Sequence, residues 1–204
     1  DLGNTTYLQV LDTHTNKNLY GDACAALIKI QLASKPGVLP PYDEALLRRE
    51  LQLFPDWYIA KYRGLTLDAR QQAILDKAFS MIVANNLASP SVFVHRDYMP
   101  RNLMAPYPEL LQNASSAQRL GAQLGVLDFQ DAVYGPITYD IASLMRDAFL
   151  SWEEDFVLDV TIRYWQKAKA AGLPMLDDWL GDFGAFYKAV EWMGLQRHLK
   201  ILGI

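Results

Sequence analysis

Ser91-Val-Phe-Val-His-Arg-Asp-Tyr-Met-Pro-Arg-Asn-Leu-Met104 and, further on, Gly125-Val-Leu-Asp-Phe-Gln130 decide how this chain is read. Each is an apolar run that ends in a polar cluster, the pattern of a buried strand delivering side chains to a site. Together they set a carboxylate (Asp97), a carboxamide (Asn102) and a second carboxylate (Asp128) at the ends of neighbouring strands. Phosphoryl transfer from a metal-bound nucleotide needs that inventory: one acceptor to orient and deprotonate a hydroxyl, and two oxygen ligands for magnesium.

The bulk properties leave room for such a site and exclude other roles. At 204 residues the chain can bury one substantial core. A net charge of -4 with no basic block argues against a nucleic-acid or anionic-membrane surface. One cysteine, Cys24, cannot close an internal disulfide, so a reducing, cytoplasmic setting is expected. No signal peptide and no apolar run of membrane-spanning length is present. The chain opens without Met and stops at Ile204 directly after a helical apolar pattern, which suggests a fragment of a longer protein.

Outward from the two motifs, most of the chain reads as helix. Apolar spacing of three and four predicts helices over Asn18–Leu32, Asp43–Ile59 and Leu67–Leu87, with Pro55 breaking or kinking the second. In the third, Ile74, Leu75, Ala78, Met81 and Ile82 form the expected core stripe, and Asp68 or Thr66 would cap it. Strands are expected at Ser91–His95, Leu103–Ala105 and Gln123–Leu127, with Pro106–Gly121 an exposed excursion between the last two. Helices return at Ile137–Phe149, Glu153–Ala170 and Asp177–Leu202. The fold class is therefore α+β, mostly helical, with a few short strands at the catalytic site.

Roles follow from placement. Asp97 would accept the substrate hydroxyl proton, a task that typically contributes about 10² to 10⁴ in rate. Asn102 would offer a neutral oxygen to magnesium while its nitrogen donates to the Asp97 loop, and Asp128 would carry the main metal contact. Arg101 is expected to supply positive charge to the transferring phosphate, because Met99 stands where protein kinases carry a lysine. His95 reads as structural support, and Asp140 as a buried anchor that accepts backbone N–H groups of the catalytic loop. Asp131 could face the substrate cleft or lie on a surface turn. Arg96 is either exposed or the partner of an acidic group.

The run His95-Arg-Asp97-x-x-x-x-Asn102 fits the kinase catalytic-loop pattern in full. With the Asp128-Phe-Gln turn and Gly135-Pro-x-x-Tyr-Asp140, it resembles the aminoglycoside phosphotransferase and choline kinase-like family. The flavour of His95-Arg-Asp-Tyr, Asn102-Leu-Met, Gly125-Val-Leu-Asp-Phe-Gln-Asp-Ala-Val-Tyr-Gly-Pro and Gly194-Leu-Gln-Arg-His-Leu-Lys is similar to the bacterial anomeric kinases of N-acetylmuramate and N-acetylglucosamine. That resemblance implies a protein-kinase-like fold, ATP and Mg2+ as cofactors, Asp97 as base, and Asn102 and Asp128 as nucleotide-metal ligands. The implied reaction turns an amino sugar into its 1-phosphate in cell-wall recycling. Nothing in the chain matches the family's nucleotide-covering loop or its strand lysine. Residues 1–204 would then be one C-terminal catalytic and substrate lobe beginning near the hinge, its N-terminal lobe a missing partner, and the fragment alone poorly active.

Other classes are less well supplied. No zinc-spaced Cys/His set, G-x-S-x-G elbow or G-x-x-x-x-G-K-[ST] loop is present. An aminoglycoside kinase would need an acidic rim, whereas Asp177, Asp178 and Asp182 are interleaved with Trp179 and Phe183. A non-catalytic pseudokinase has no need of Asp97, Asn102 and Asp128 together. A protein kinase would carry an A-P-E element, which is absent.

Overall fold

The computed structural model describes residues 2–12, 15–105 and 124–204. The Pro106–Gly121 excursion and the start of the strand expected from Gln123 lie outside them. Among the described residues the fold is mostly helical, with two short β-ribbons set against the helices.

A single turn, α1 (Tyr7–Val10), leads to α2 (Asn16–Leu32), whose Leu19, Tyr20, Ala23, Leu27 and Ile28 are buried. Helix α3 (Glu44–Leu53) starts at Asp43, whose side chain accepts the Leu46 N–H at 2.9 Å. The α-helix ends just before Pro55, but the backbone stays helical. Pro55 has no N–H to give the preceding turn, and the backbone rewinds as a π-helix over Phe54–Tyr62. There Arg63 N–H reaches Tyr58 O at 2.9 Å, and Phe54, Tyr58 and Tyr62 stack one above the next.

Helix α4 (Ala69–Leu87) is capped by Asp68, which accepts from Gln71 N at 2.8 Å while Gln71 Oε1 accepts from Asp68 N at 3.0 Å. Its expected stripe is corrected by the structure. Ile74 and Met81 are exposed, and the buried face is Phe79, Ile82, Val83 and Asn86. Ala78 is exposed too; of the expected stripe only Ile82 is buried, with Leu75 partly buried against the core, because the covered face is set by Phe79, Ile82, Val83 and Asn86.

Strand β1 (Ser91–Val94) pairs antiparallel with β4 (Val133–Pro136), Ser91 opposite Pro136 and Val94 opposite Val133. The sequence reads the latter as a Gly-Pro turn. Gly135 instead permits close approach, since a Cβ there would lie 2.5 Å from Tyr42 Cβ. Strands β2 (Leu103–Met104) and β3 (Gly125–Val126) form the second ribbon. Asp97 and Asp128 therefore leave different ribbons, not neighbouring strands of one sheet. The Leu127 N–H to Asn102 O bond, 2.9 Å, ties their loops together.

Helix α5 (Thr138–Met145) is wholly buried and ends at Met145, four residues before the expected end, so that Asp147 to Phe149 turn out of the helix. Helix α6 (Glu154–Ala170) packs on α2. The last predicted helix is two: α7 (Asp177–Gly181) and α8 (Phe183–Leu202), separated at Asp182, whose carboxylate accepts the Gly184 N–H at 2.7 Å. Helix α8 buries Phe186, Ala189, Val190, Met193 and Arg197 and packs against α3, α4 and α5. No helix of the described residues is long and apolar enough to cross a membrane.

Candidate active site

The loop after β1 is held by charges that come from elsewhere. Asp140, in the first turn of α5, is fully buried; it accepts the N–H groups of His95 (2.7 Å) and Arg96 (3.0 Å) on its two carboxylate oxygens. Burial pushes its pKa up to about 7, although the two amides and the Arg197 charge pull the other way. Arg96 is left-handed, φ 75°, which a non-glycine residue adopts at a cost. Its carbonyl accepts from Arg197 Nη1 at 3.1 Å, and its guanidinium pairs with the buried Glu50 of α3.

Glu50 is a hub. Besides Arg96 it takes Lys200 Nζ at 3.0 Å and the Tyr42 hydroxyl. Burial alone would raise its pKa, but Lys200, the Tyr42 hydrogen bond and Arg96 outweigh that and hold it below the usual range. Burial likewise works against a charged Arg96, and the Glu50 carboxylate more than offsets it, so the Arg96 pKa stands above its ordinary value.

Next to that anchored segment the chain makes a tight turn. Met99 N–H bonds Asp97 O at 3.0 Å, Asn102 N–H bonds Met99 O at 2.9 Å, and Asn102 Nδ2 donates to Asp97 O at 2.9 Å. The Asn102 nitrogen is thus committed to the loop, and any contact with a cation falls to its Oδ1. Asp128 sits on an exposed turn after β3, again left-handed (φ 71°), with Gln130 Nε2 donating to its Oδ1 at 2.8 Å.

Asp97, Asn102 and Asp128 all line one cavity of about 320 Å³. Arg101 shares that cavity, lying 5.3 Å over the Phe149 ring. Among the described residues no three His, Cys, Asp or Glu side chains converge as a metal site. Two protein oxygens, one amide and one carboxylate, suit magnesium, which keeps its remaining positions for phosphate oxygens and water.

His95 is buried edge-on to Tyr98, ring centroids 5.8 Å apart, and its ring nitrogens make no hydrogen bond among the described residues. Burial lowers its pKa in spite of the nearby Asp97 and Asp128 carboxylates, which act to raise it. Asp131 is not brought to the cavity. It is exposed on the turn that feeds β4, and what it offers the site is its carbonyl, 3.4 Å from Arg96 Nη1.

Sequence reasoning missed Glu50, Asp147, Phe149, Arg197 and Lys200. Asp147, Phe149, Arg197 and Lys200 line the cavity. Two of the five carried a usable signal: Glu50 falls in register with Leu47 and Leu51, and Arg197 in register with Phe186, Val190 and Met193. A charge in a buried helical stripe needs a partner or a task.

Comparison with known proteins follows the same lines. The family described as "Phosphotransferase enzyme family" (APH) matches residues 2–179. A curated N-acetylmuramate/N-acetylglucosamine kinase of Neisseria meningitidis serogroup B is 46% identical over 208 residues, covering all of this chain and 57% of the relative. The protein of the same name from Pseudomonas aeruginosa is 47% identical over 204 residues, again covering the whole chain and 55% of the relative. The chain spans about half the length of the curated relatives it matches. Plasmodium vivax ethanolamine kinase superposes with a TM-score of 0.58 at 12% identity, over 91% of this chain and 52% of that one. ADP-bound aminoglycoside phosphotransferase APH(2'')-Ib gives 0.53 at 16% identity, over 97% and 70%. Those likenesses establish a shared protein-kinase-like fold.

Proposed function

Because this chain belongs to the phosphotransferase enzyme family, we propose that residues 1–204 are the catalytic and substrate lobe of an ATP-dependent amino-sugar kinase. An N-terminal nucleotide lobe of the same protein would complete it, and the enzyme would work in the cytoplasm. Its substrates would be N-acetylmuramate and N-acetylglucosamine, the two sugars named for the relatives that match the whole chain.

The observation that carries this reading is the meeting of Asp97, Asn102 and Asp128 on a single cavity. Asp97 takes the proton of the anomeric hydroxyl as that oxygen attacks the γ-phosphorus. The bond to the β–γ bridging oxygen breaks, ADP leaves, and the product is the sugar 1-phosphate. Arg101, exposed on the cavity wall, meets the negative charge of the group in transfer. Asn102 and Asp128 would hold magnesium, which when bound draws off charge from the phosphate oxygens. The cavity balances Arg101, Arg197 and Lys200 against Asp97, Asp128 and Asp147. Such a lining suits a neutral or anionic sugar better than the polycation an aminoglycoside kinase must attract.

A phosphate-transfer screen of the full-length protein against N-acetylmuramate, N-acetylglucosamine, choline and kanamycin tests the reading. Phosphorus NMR should place the new phosphate on the anomeric oxygen of both sugars. Transfer to kanamycin or choline alone, or to a non-anomeric hydroxyl, would overturn it.

A further inference from the structure

Taking Asp97 as the base, we propose that Arg197 is its positioning residue: with Asp140 it grips the Arg96 peptide from both ends and fixes the left-handed backbone that aims Asp97 into the cavity.

Arg96 occupies φ 75°, a conformation that is costly for an L-residue and persists only when the surroundings over-determine it. Here both backbone polar groups and one end of the guanidinium are taken. Its N–H goes to Asp140 at 3.0 Å, its carbonyl to Arg197 at 3.1 Å, and its guanidinium to Glu50. Asp140 and Arg197 come from α5 and from the buried face of α8, so the backbone next to the base is held from two helices.

The Arg197 position argues for a task beyond packing. The residue is 4% exposed, yet it makes no ion pair within 4 Å among the described residues. Its contacts are the Arg96 carbonyl and the Tyr139 ring, 5.1 Å away, while its Nε finds no partner there. Neighbours in the same stripe of α8 are Phe186, Val190 and Met193, and an apolar side chain at 197 would avoid burying a guanidinium. The charge is placed where it can hold a backbone carbonyl beside the base and offset Asp140.

The test compares R197M and R197K with wild type in the full-length protein. For R197M, kcat should fall about 10²-fold, the loss expected of a base displaced by about an ångström. Arg197 also lines the cavity, so the test is the split: kcat should fall at least about tenfold more than KM for either ATP or the sugar rises. Hydrogen exchange at the His95 and Arg96 amides should accelerate while the protected amides of α2 and α6 hold. R197K, which keeps charge but loses the fork geometry, should recover part of both. Wild-type kcat together with wild-type exchange at His95 and Arg96 overturns the proposal, as does loosening shared equally by the whole core. Should R197M fail to fold, the same two readouts on R197K decide, with wild-type values in both counting against it. If the wild-type protein phosphorylates neither sugar, the functional reading fails, and the exchange measurement still judges the clamp.

Discussion

Arg96 and Asp128 are the two non-glycine residues with positive φ among the described residues, and they are held in opposite ways. Around Arg96 three buried charged side chains, Asp140, Arg197 and Glu50, engage the N–H, the carbonyl and the guanidinium. Around Asp128 the turn is exposed, and its fixings are the Gln130 side chain and two backbone bonds, Leu127 to Asn102 and Ala132 to Phe129. An aspartate tolerates the left-handed region through its short polar side chain; an arginine does so only under constraint. The proposed base is preorganised by the fold, whereas the proposed metal arm has little besides what it would bind to hold it. Preorganised charge is where catalytic advantage concentrates, and a looser arm can close on a nucleotide that arrives with its own ion.

The widest effect expected on the anchored side is chemical. Asp97→Asn should cut phosphate transfer by about 10² to 10⁴-fold. Its stability should move by no more than about 0.5 kcal/mol, because Asp97 serves the turn through its backbone carbonyl. Steady-state kinetics beside a denaturation curve reads both, and a large stability loss would show that the base also holds the loop.

Next in size is Arg96→Gly, which separates backbone strain from the clamp. Glycine accepts φ 75° freely, so a strain-only account predicts a gain. Loss of the buried pair with Glu50 predicts instead a destabilisation of about 3 kcal/mol, measured from the urea midpoint. A glycine variant as stable as the parent would break the contrast between the two turns.

Asp140 makes the clamp sensitive to pH. Its ordinary pKa of 3.8 rises in the fold to about 7 because it is buried. The folded state therefore holds the proton more tightly than the unfolded chain. Stability from this group is full below about pH 4 and is lost as pH climbs through about 7. Glu50 acts in the other direction, its depressed pKa giving stability that is lost in acid. Melting curves across the window from pH 4 to pH 7 should show the Asp140 slope, on the order of 4 kcal/mol, and Asp140→Asn should flatten it. An unchanged slope in that variant would assign the titration elsewhere.

Which of these features could be read beforehand depends on how far apart the partners lie in the chain. Asp97, Asn102 and Asp128 are legible because each ends or follows an apolar run, and Asp140 because an acidic residue opens an apolar helix. Glu50 and Arg197 meet Arg96 across 46 and 101 residues, and no local pattern encodes such a meeting. Strand β4 was hidden by Gly135-Pro136, a dipeptide that signals a turn but here makes room for Tyr42. Pro55 signals a break, yet rewinding into a π-helix keeps the backbone bonded and the Phe54, Tyr58 and Tyr62 rings stacked. Ile74 and Met81 follow helical periodicity yet stay exposed, because the covered face of α4 runs through Leu75, Phe79, Ile82, Val83 and Asn86.

The smallest stability effect, and the sharpest check on the exposed arm, is Asp128→Gly. The substitution removes a left-handed non-glycine residue and one exposed side-chain hydrogen bond from Gln130. Relief at φ 71° outweighs the lost contact, so the protein should gain stability, by less than about 1 kcal/mol. Phosphate transfer and magnesium-dependent nucleotide binding should both be lost, because the carboxylate that would meet the ion is gone. Stability and function then move in opposite directions at Asp128, whereas Arg96→Gly loses stability. If Asp128→Gly instead cost as much as Arg96→Gly in the same urea titration, the metal turn would be anchored by the fold as firmly as the base, and the division between a fixed arm and a loose one would not hold.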